Sequence, residues 1–309
     1  MRPAVYIPNF NGRARLAGVL ASLREQSHPV DVVVVDNGSS DGSVAMIREQ
    51  FGEVEALELG ENLGFGTALN RAIRKRTADP VILLNNDAEA EPRFVEALLD
   101  ELGPGVDSVA GVLLQEQAPE LIDSAGVIAD RTLMGFDYLH GEPVEAVQGA
   151  ADPLGPTGGA ALYRHSAFEA IGGFDERIFL YYEDLDLALR LAGAGGRCRL
   201  APDARALHAY SASLGAGSGA KYARTGWTRG YMLRRYGMMQ RPRDAVRVLA
   251  AEGAICAGQL LHDRTAAGLW GRLRGWWDGG GTEKRSVAGI PLLDISLREV
   301  LQLRRARRA

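Results

Sequence analysis

Cysteine is scarce in this chain. Cys198 and Cys256 are the only two cysteines, and neither belongs to a CxxC pair. The sequence therefore indicates neither a disulfide framework nor a zinc site built on paired thiolates. Such usage is typical of a reducing compartment, and we expect a cytoplasmic protein.

Long apolar runs are also missing. No stretch approaches the roughly 18 uninterrupted apolar residues that a membrane-spanning helix needs. The amino terminus leads into a strand pattern without a charged and then apolar leader. We therefore expect neither a spanning anchor nor export by a signal peptide. The overall charge of -4 gives no reason to expect a nucleic-acid partner.

Charge is distributed unevenly along the chain. Residues 1–240 contain 22 Lys and Arg against 32 Asp and Glu, whereas residues 241–309 contain 13 against 7. A basic segment attached to an acidic body indicates an anionic surface as its partner.

Apolar periodicity alternates between strand and helix in the first third of the chain. With 309 residues, one large or two modest domains can form. The predicted strands are 4–8, 30–35, 54–59 and 81–84, and the predicted helices are 13–26, 44–51, 66–76 and 93–102. This βαβα alternation predicts an α/β fold in which helices flank a mostly parallel sheet.

The alternation loosens after residue 106. Later predicted strands are 108–114, 160–163, 199–201 and 205–208, and later helices are 183–194, 221–236 and a helical extension beyond 240 that ends in an Arg-rich helix from about 296. The polar stretch 115–156 is long for a simple connection, so we expect a loop or hairpin that serves a site.

A polar cluster follows the fourth predicted strand. Asn85, Asn86 and Asp87 come directly after the apolar run 81–84. Open α/β sheets bind ligands beyond the carboxyl ends of their strands, so these side chains should face a crevice. Asp87 can bind a divalent cation, and the amide oxygens can bind metal, ribose or phosphate. An Asx-rich turn before a helix uses the same residue types, so the cluster alone does not decide its role.

Two further polar segments lie at predicted strand ends or helix starts. Asp36 ends the most apolar strand, where a carboxylate can accept hydrogen bonds from a base or a ribose hydroxyl. Residues 39–42 are explained by a turn that caps the next helix. Segment 62–66 has two glycines that let a ligand approach the backbone, but it lacks the full GxGxxG fingerprint, which disfavours a dinucleotide.

An acidic cluster opens the helix predicted at residue 183. Glu183, Asp184 and Asp186 follow the aromatic run 179–182 directly. The helix dipole favours acids in a first turn, so a structural role explains part of the cluster. The aromatic wall also makes a partly dry environment, in which one carboxylate can act as a base. His208 follows a later strand, where an imidazole and a carboxylate can bind one cation.

Seven short segments occur in a telling order, namely Pro8-Asn9-Phe10-Asn11-Gly12, Asp36-Asn37-Gly38-Ser39, Asn62-Leu63-Gly64-Phe65-Gly66, Asn85-Asn86-Asp87, Gly158-Gly159-Ala160, Gly173-Phe174-Asp175-Glu176 and Glu183-Asp184-Leu185-Asp186. Over residues 4–236 this order and spacing resemble family 2 glycosyltransferases, most closely the rhamnosyltransferase-like branch. The resemblance implies a GT-A (Rossmann-like) fold, a nucleotide-sugar donor, a divalent metal (Mn²⁺ or Mg²⁺) and inversion at the anomeric carbon. It further implies dTDP-L-rhamnose as donor and a glycan, lipid-linked or small-molecule acceptor.

The resemblance gives each matching residue a role. Asp184 would be the catalytic base, and Asp87 and His208 would bind the metal. The residues expected to bind the nucleotide are Pro8, Asn9, Asn11, Asp36, Asn62, Gly64, Gly66 and Asn86. Those expected to contact the donor sugar or the acceptor are Asn85, Gly158, Gly159, Tyr182 and Glu183. Asn85 stands where the usual DxD motif has its first acid, so we expect weak binding of free metal without nucleotide.

The resemblance also divides the chain. Residues 1–236 would form the catalytic domain, with a donor half at about 1–115 and an acceptor half at about 116–215, and 237–309 a helical, basic C-terminal extension. Two other classes stay open. A nucleotidyltransferase acting on sugar phosphates should carry an early Gly-rich loop with Lys or Arg, which 8–12 lacks. A non-catalytic carbohydrate-binding module should not depend on a proton acceptor.

The extension contains a basic, amphipathic pattern. Its apolar residues and nearby arginines are Leu269, Trp270, Leu273, Trp276, Trp277, Arg272, Arg274 and the ending Arg304-Arg305-Ala306-Arg307-Arg308. Basic helices with tryptophan suit the headgroup zone of an anionic bilayer. Apolar stripes more often pack against a core or a second subunit. We expect either peripheral contact with the inner face of the cytoplasmic membrane, or a helical cap or homodimer contact.

Overall fold

The computed structural model describes residues 2–76, 78–209, 218–240, 242–296 and 298–300. The predicted Arg-rich ending, 304–308, lies outside the described residues. The chain forms two compact units, of which the first comprises Met1–Val127, Asp137–Phe179 and Glu183–Tyr210.

A mixed sheet forms the centre of the first unit. The strands in chain order are β1 (Ala4–Asn9), β2 (Asp31–Asp36), β3 (Glu55–Glu58), β4 (Val81–Leu84), β5 (Ala88–Ala90), β6 (Ser108–Gln115), β7 (Ala118–Ser124), β8 (Val127–Ala129), β9 (Gly135–Asp137), β10 (Ala160–Tyr163) and β11 (Cys198–His208). The main sheet has the order β3–β2–β1–β4–β10–β6–β11–β5, with β7 paired to β6, and β8 and β9 form a separate pair.

The direction of the strands follows the predicted alternation in the first half. β1, β2, β3 and β4 pair in parallel, and β10 is antiparallel to both β4 and β6. The carboxyl ends of β1, β2 and β4 therefore lie at one edge of the sheet. β11 runs parallel to β6 and antiparallel to β5, which sets His208 opposite Ala88. The predicted α/β fold is confirmed.

Helices of the first unit cover both faces of its sheet. They are α1 (Arg13–Arg24), α2 (Ser43–Gln50), α3 (Phe65–Ile73), α4 (Phe94–Asp100), α5 (His165–Ala170) and α6 (Glu183–Gly193), with a short 3₁₀ helix at Val144–Val147. The later helices belong to the second unit and are α7 (Gly219–Arg235), α8 (Pro242–His262) and α9 (Ala267–Asp278), with a short 3₁₀ helix at Gly279–Gly281. Side chains alternate along β1, so Val5 and Ile7 pack with α1, α2 and α4, whereas Ala4 and Tyr6 pack with α3, α5 and α6. Each fully buried aliphatic side chain contributes about 1.5–3 kcal/mol.

Two predicted segments differ in the structure. Residues 199–201 and 205–208 were expected as separate strands, but they belong to one strand, β11, whose register against β6 shifts between Leu200 and Arg205. This irregularity explains why the residues between the two segments lack the pattern of a continuous strand. The stretch 115–156 contains β7, β8, β9 and a 3₁₀ helix, and β7 brings an acidic side chain to the site described below.

The second unit comprises Ile128–Phe136, Leu180–Tyr182 and the described residues from 218 onward. Its helices α7 and α9 approach closely through glycines. A Cβ atom added at Gly230 would lie 2.8 Å from the backbone nitrogen of Trp276, and one at Gly271 would lie 2.9 Å from that of Trp227. Helix α7 thus clusters with the later helices, while the predicted domain boundary at 236/237 stays a prediction.

A buried ion cluster joins the helices of the second unit. Arg229, which is fully buried, donates from Nε to Oε1 of Glu252 at 2.8 Å, and Arg272 donates to the other oxygen of Glu252. Burial raises the pKa of Glu252, but the two arginines outweigh it and lower the pKa to about 2. The single carboxylate is therefore ionised and compensates two buried cations.

Candidate active site

Two residues expected to bind the metal lie close together where β4 ends and β5 begins. Nε2 of His208 is 3.2 Å from Oδ1 of Asp87, and the Nδ2 atom of Asn85 is 3.5 Å from the same nitrogen. The pairing of β11 with β5 produces this proximity, because it places the last residue of β11 beside the residue that follows Asp87. The structure thus brings together Asn85, Asp87 and His208, three residues that the sequence singled out.

The imidazole of His208 also contacts Asp123, a residue that sequence reasoning did not identify. Nδ1 of His208 lies 2.7 Å from Oδ2 of Asp123 in β7. His140 approaches the same aspartate, with its Nδ1 at 2.7 Å from the backbone oxygen and 3.5 Å from Oδ1. Burial raises the pKa of Asp123, but hydrogen bonds from both histidines outweigh it and hold the pKa well below its usual range.

Protonation of His208 reflects its two acidic neighbours. Burial lowers the pKa of His208, but hydrogen bonds to Asp123 and Asp87 outweigh this effect and raise the pKa to about 9. In the neutral ring, an Nδ1–H of His208 donates to the carboxylate of Asp123, which leaves the lone pair of Nε2 available to a metal ion. A cation between Asp87 and His208 would take the place of the Nε2 proton.

The donor set fits a divalent cation bound together with a nucleotide. Within the part of the chain that the structure describes, no group of three or more His, Cys, Asp and Glu side chains is arranged to hold a metal ion. Asp87 and His208 supply one oxygen and one nitrogen, which Mn²⁺ and Mg²⁺ accept, and further oxygens would have to come from diphosphate or water. Weak binding of free metal without nucleotide stays a prediction.

A polar network connects the carboxyl ends of β1 and β2. Asp36 is buried, and its oxygens accept hydrogen bonds from Nδ2 of Asn9 at 3.1 Å and from the backbone N–H of Ser39 at 3.0 Å. The side chain of Asn86 donates to Oδ1 of Asn9 at 2.8 Å. Each carboxylate oxygen can accept a further bond, so Asp36 keeps acceptor capacity for a base or a ribose.

The loop after β1 is fixed by the loop after β2. The backbone N–H of Asn11 donates to Oγ of Ser39 at 2.9 Å, and the N–H of Ser40 donates to Oδ1 of Asn11 at 2.8 Å. Asn11 has a φ of 52°, a left-handed conformation that asparagine tolerates. Pro8 lies in β1 opposite Val35 of β2. These residues lie at the carboxyl ends of β1 and β2, where the sequence predicts the nucleotide site.

The segment before α3 is a preorganised turn. Nδ2 of Asn37 donates to Oδ1 of Asn62 and to the backbone oxygen of Gly64, both at 3.1 Å. Gly64 has a φ of 84° and packs against the backbone of Phe179, which a side chain would prevent. Gly66 is close-packed too, since an added Cβ atom would lie 2.6 Å from Cβ of Phe174. Packing thus gives both glycines a structural reason in addition to the expected nucleotide contact.

Gly158 and Gly159 link Asp184 to the residues at the end of β4 through backbone hydrogen bonds. Its Oδ2 accepts a hydrogen bond from the backbone N–H of Gly158 at 3.3 Å, and its Oδ1 accepts one from the N–H of Leu185 at 2.7 Å. The backbone oxygen of Gly159 accepts from the N–H of Asn85 at 3.2 Å. The start of β10 therefore lies between the acidic start of α6 and the residues that end β4.

The neighbours of Asp184 in α6 have other surroundings. Asp186 is fully buried and pairs with Nε of Arg190 at 2.8 Å, which is a structural role. Glu183 is buried in the first turn of the helix. Tyr182 belongs to the second unit and has a φ of 69°. Its hydroxyl lies 3.4 Å from the sulfur of Met134, and its ring packs against Arg229 of the same unit. A left-handed tyrosine is strained, and such strain is concentrated at functional sites.

Sequence comparisons identify relatives of the chain. The family model described as Glycosyl transferase family 2 matches residues 4–172. An N-acetylglucosaminyl-diphospho-decaprenol L-rhamnosyltransferase from Mycobacterium tuberculosis is 34% identical over 225 residues, which cover 63% of this chain and 72% of the relative. The succinoglycan biosynthesis protein ExoA from Rhizobium meliloti is 30% identical over 200 residues, or 62% of this chain and 58% of the relative.

Solved structures with a GT-A fold resemble the chain. The mannosyltransferase PcManGT from Pyrobaculum calidifontis, in complex with GDP-Man and Mn²⁺, gives a TM-score of 0.54 at 20% identity, over 99% of this chain and 80% of the other. GalNAc-T7 with UDP, GalNAc and Mn²⁺ gives a TM-score of 0.62 at 13% identity, over 92% of this chain and 55% of the other. The described part of the chain contains no helix with the length and apolar character to cross a bilayer.

Proposed function

The chain belongs to glycosyl transferase family 2 and is a glycosyltransferase, and we propose that it transfers L-rhamnose from dTDP-L-rhamnose to a hydroxyl of a lipid-linked glycan. The M. tuberculosis relative supports this choice, because its name specifies L-rhamnose and an N-acetylglucosaminyl-diphospho-decaprenol acceptor. Membership of the family sets aside the nucleotidyltransferase and the non-catalytic binding module.

One structural relationship carries the proposal. Asp184 and Asn85 are hydrogen-bonded to two consecutive backbone positions, Gly158 and Gly159. The carboxylate suited to act as a base is thereby fixed relative to the end of β4, where Asp87 and His208 lie. A sugar transfer requires a base for the acceptor hydroxyl and a site for the charged leaving group. Gly158 and Gly159 lie between the residues proposed for these two roles.

Asp184 would act as the general base. The acceptor hydroxyl is a poor nucleophile at neutral pH, so a carboxylate within hydrogen-bond reach must take its proton as the new C–O bond forms. The acceptor oxygen bonds to the anomeric carbon, the bond from that carbon to the phosphate oxygen breaks, and the proton ends on Asp184. Nucleoside diphosphate is the leaving group.

The residues at the ends of β1, β2 and β4 would hold that leaving group. A divalent cation bound by Asp87 and His208 would neutralise negative charge on the diphosphate. Asp36 would accept a hydrogen bond from the nucleoside. The amide of Asn9 donates to Asp36, and the amide of Asn86 donates to Asn9, so the carboxylate is held in place. Inversion follows when the base and the leaving group lie on opposite faces of the sugar, which their separate segments permit.

A donor panel tests the proposal. Purified protein with Mn²⁺ is mixed with dTDP-L-rhamnose, UDP-glucose, UDP-N-acetylglucosamine and GDP-mannose, and the melting temperature is recorded. Ligands that bind the native state raise the melting temperature, and the rise grows with the logarithm of the ratio of ligand concentration to Kd. We expect dTDP-L-rhamnose to protect most and to be consumed with a prenyl-diphospho-N-acetylglucosamine acceptor. Transfer from a UDP-hexose with no use of dTDP-L-rhamnose refutes the donor assignment, while leaving the transferase assignment intact.

A further inference from the structure

The loop that follows β9 is fixed beside β7 by backbone hydrogen bonds. The N–H of Gly141 donates to the oxygen of Ile122 at 2.8 Å, and the N–H of Ile122 donates to the oxygen of Glu142 at 2.9 Å. Further along, the N–H of Ala125 donates to the oxygen of Tyr138 at 2.9 Å. The centre of this loop is therefore set opposite the end of β7.

A strained residue precedes His140 at the centre of this loop. Leu139 has a φ of 57°, a left-handed conformation that is unfavourable for a residue with a Cβ atom, whereas Gly141, with a φ of 78°, adopts it freely. The N–H of Glu142 donates to the oxygen of Leu139 at 3.0 Å and closes the turn around His140. Strain of this kind persists where surrounding contacts hold it, and it is concentrated at functional sites.

Asp123 is the extra residue of an irregularity in β7. Leu113 of β6 is paired with Ser124 and Leu114 is paired with Ile122, so Asp123 is an additional residue between two paired positions. A bulge of this kind changes the direction of a side chain relative to the regular alternation, and bulges are common beside active sites. The direction of the Asp123 side chain therefore depends on contacts outside the ladder between β6 and β7.

His140 supplies such a contact. Its Nδ1 lies 2.7 Å from the backbone oxygen of Asp123 and 3.5 Å from Oδ1 of the same residue. A carbonyl oxygen can only accept, so this nitrogen carries a proton and donates. Oδ2 of Asp123 faces Nδ1 of His208 at 2.7 Å, so each carboxylate oxygen lies beside its own imidazole. The side chains of Asp123 and His140 are 12% and 24% exposed, and hydrogen bonds to a charged group are strong in such partly dry surroundings.

These contacts lead from the loop to the proposed metal site within the first unit. His140 contacts Asp123, Asp123 contacts His208, and His208 lies 3.2 Å from Asp87. An imidazole binds a cation well when a partner of its other nitrogen fixes the ring, and that partner must itself be held in place. We propose that His140 is a positioning residue for donor binding, because it holds the carboxylate of Asp123 in the orientation that fixes His208. The inference rests on the proposed function, since it assigns His140 to the metal-dependent binding of the nucleotide.

Calorimetry with dTDP, in Mn²⁺ and in EDTA, tests the proposal on the full chain. His140→Leu and His140→Ala both remove the N–H donor, and we expect each to weaken binding in Mn²⁺ about 10-fold, the lower end of the loss typical of supporting contacts, with little change in EDTA. His140→Asn places an amide N–H near the position of Nδ1 and should restore most of the affinity. Glu142→Gln, an exposed change in the same loop, should behave as the native chain. His140 is partly exposed, so the melting temperatures of its variants should stay close to that of the native chain.

A double variant separates action through Asp123 from an independent effect. If His140 acts through that carboxylate, adding His140→Leu to Asp123→Asn should weaken Mn²⁺-dependent binding no further, whereas independent effects would add. Additive losses, or equal losses in Mn²⁺ and in EDTA, overturn the proposal. If Asp123→Asn weakens binding while His140→Leu and His140→Ala keep the native affinity, the inference about His140 fails and the proposed function stands. A native chain whose affinity for dTDP is the same in Mn²⁺ and in EDTA overturns the proposed metal role and this inference with it.

Discussion

Asp123 and His208 are 85 residues apart in sequence, yet Oδ2 of the first lies 2.7 Å from Nδ1 of the second. His140 contacts Asp123 from the other side. The carboxylate therefore fixes the tautomer and the orientation of the imidazole, and it directs Nε2 towards Asp87, 3.2 Å away. Asp123 is a positioning residue, because it acts on the proposed metal site through His208.

The first prediction concerns this positioning role. Asp123→Asn should weaken Mn²⁺-dependent binding of the nucleoside diphosphate by about 10- to 100-fold, as loss of such supporting carboxylates typically does. Titration calorimetry with dTDP, in Mn²⁺ and in EDTA, measures it. A merely structural role would lower affinity in both conditions. Glu120→Gln, an exposed change in the same strand, is the control. Unchanged affinity in Mn²⁺ for a folded Asp123→Asn protein contradicts the assignment.

The second prediction concerns the base. Asp184→Asn should reduce transfer by about 10²- to 10⁴-fold, because the asparagine accepts no proton. Binding of the donor should persist, since Asp184 lies at the start of α6 and not among the predicted nucleotide contacts. Rates come from release of the nucleoside diphosphate, and donor affinity from calorimetry. Asp203→Asn, at a side chain 70% exposed, should leave both unchanged. Near-normal turnover in Asp184→Asn would contradict the role of Asp184 as the general base.

The third prediction concerns the position that departs from DxD. Asn85 lies 3.5 Å from Nε2 of His208, so Asn85→Asp adds a carboxylate next to the proposed metal ligands. We expect tighter binding of free Mn²⁺, because a further charged oxygen ligand favours the cation. Electron paramagnetic resonance of free Mn²⁺ measures it. In Asn86→Asp the new carboxylate would face Asn9 instead, so this variant should gain little. Equal gains in both variants contradict the metal site.

The fourth prediction concerns metal dependence in the unmodified chain. EDTA should remove most of the affinity for nucleotide sugar, and Mn²⁺ or Mg²⁺ should restore it, because in the proposed site Asp87 and His208 would hold the diphosphate only through a cation. Asp87→Ala should remove the difference between EDTA and Mn²⁺. Calorimetry with the donor gives both numbers. A donor affinity that EDTA does not change rules out the proposed metal role.

The elements that could be predicted from the sequence are those whose signal is local. The strands β4 and β10 begin and end where they were predicted, because each is a short apolar run that is buried on both faces. The polar residues after β4 were identified because parallel strands place their carboxyl ends at one edge. Local apolar pattern and simple topology therefore sufficed for the fold and for Asp87.

The rest depends on contacts between distant segments. Asp123 follows Ile122 in a strand without a recognisable motif, and only the pairing of β7 with β6, and of β6 with β11, brings it to His208. No local sequence pattern determines the register across these three strands. The positive φ of Tyr182 is equally hidden, because tyrosine has no preference for that conformation. Sequence reasoning thus singled out Asp87 and His208 and missed Asp123, which contacts His208.

The last prediction concerns stability of the second unit. Glu252 compensates the buried charges of Arg229 and Arg272, so Glu252→Gln leaves two uncompensated cations and should destabilise this unit by about 3–5 kcal/mol. The four tryptophans all lie between residues 227 and 277, so their fluorescence during urea unfolding reports on this unit. Glu283→Gln, at an exposed acid, is the control.

The same carboxylate predicts the pH dependence of that difference. The pKa of Glu252 is lowered from 4.5 to about 2 in the folded chain, so its contribution is fully present above about pH 4.5 and is lost as the pH falls towards 2. The gap in unfolding midpoint between the native protein and Glu252→Gln should therefore be widest at pH 7 and should narrow below pH 4.5. Midpoints that coincide at pH 7, or a gap that widens on acidification, would show that the ion cluster does not stabilise the unit in its charged form.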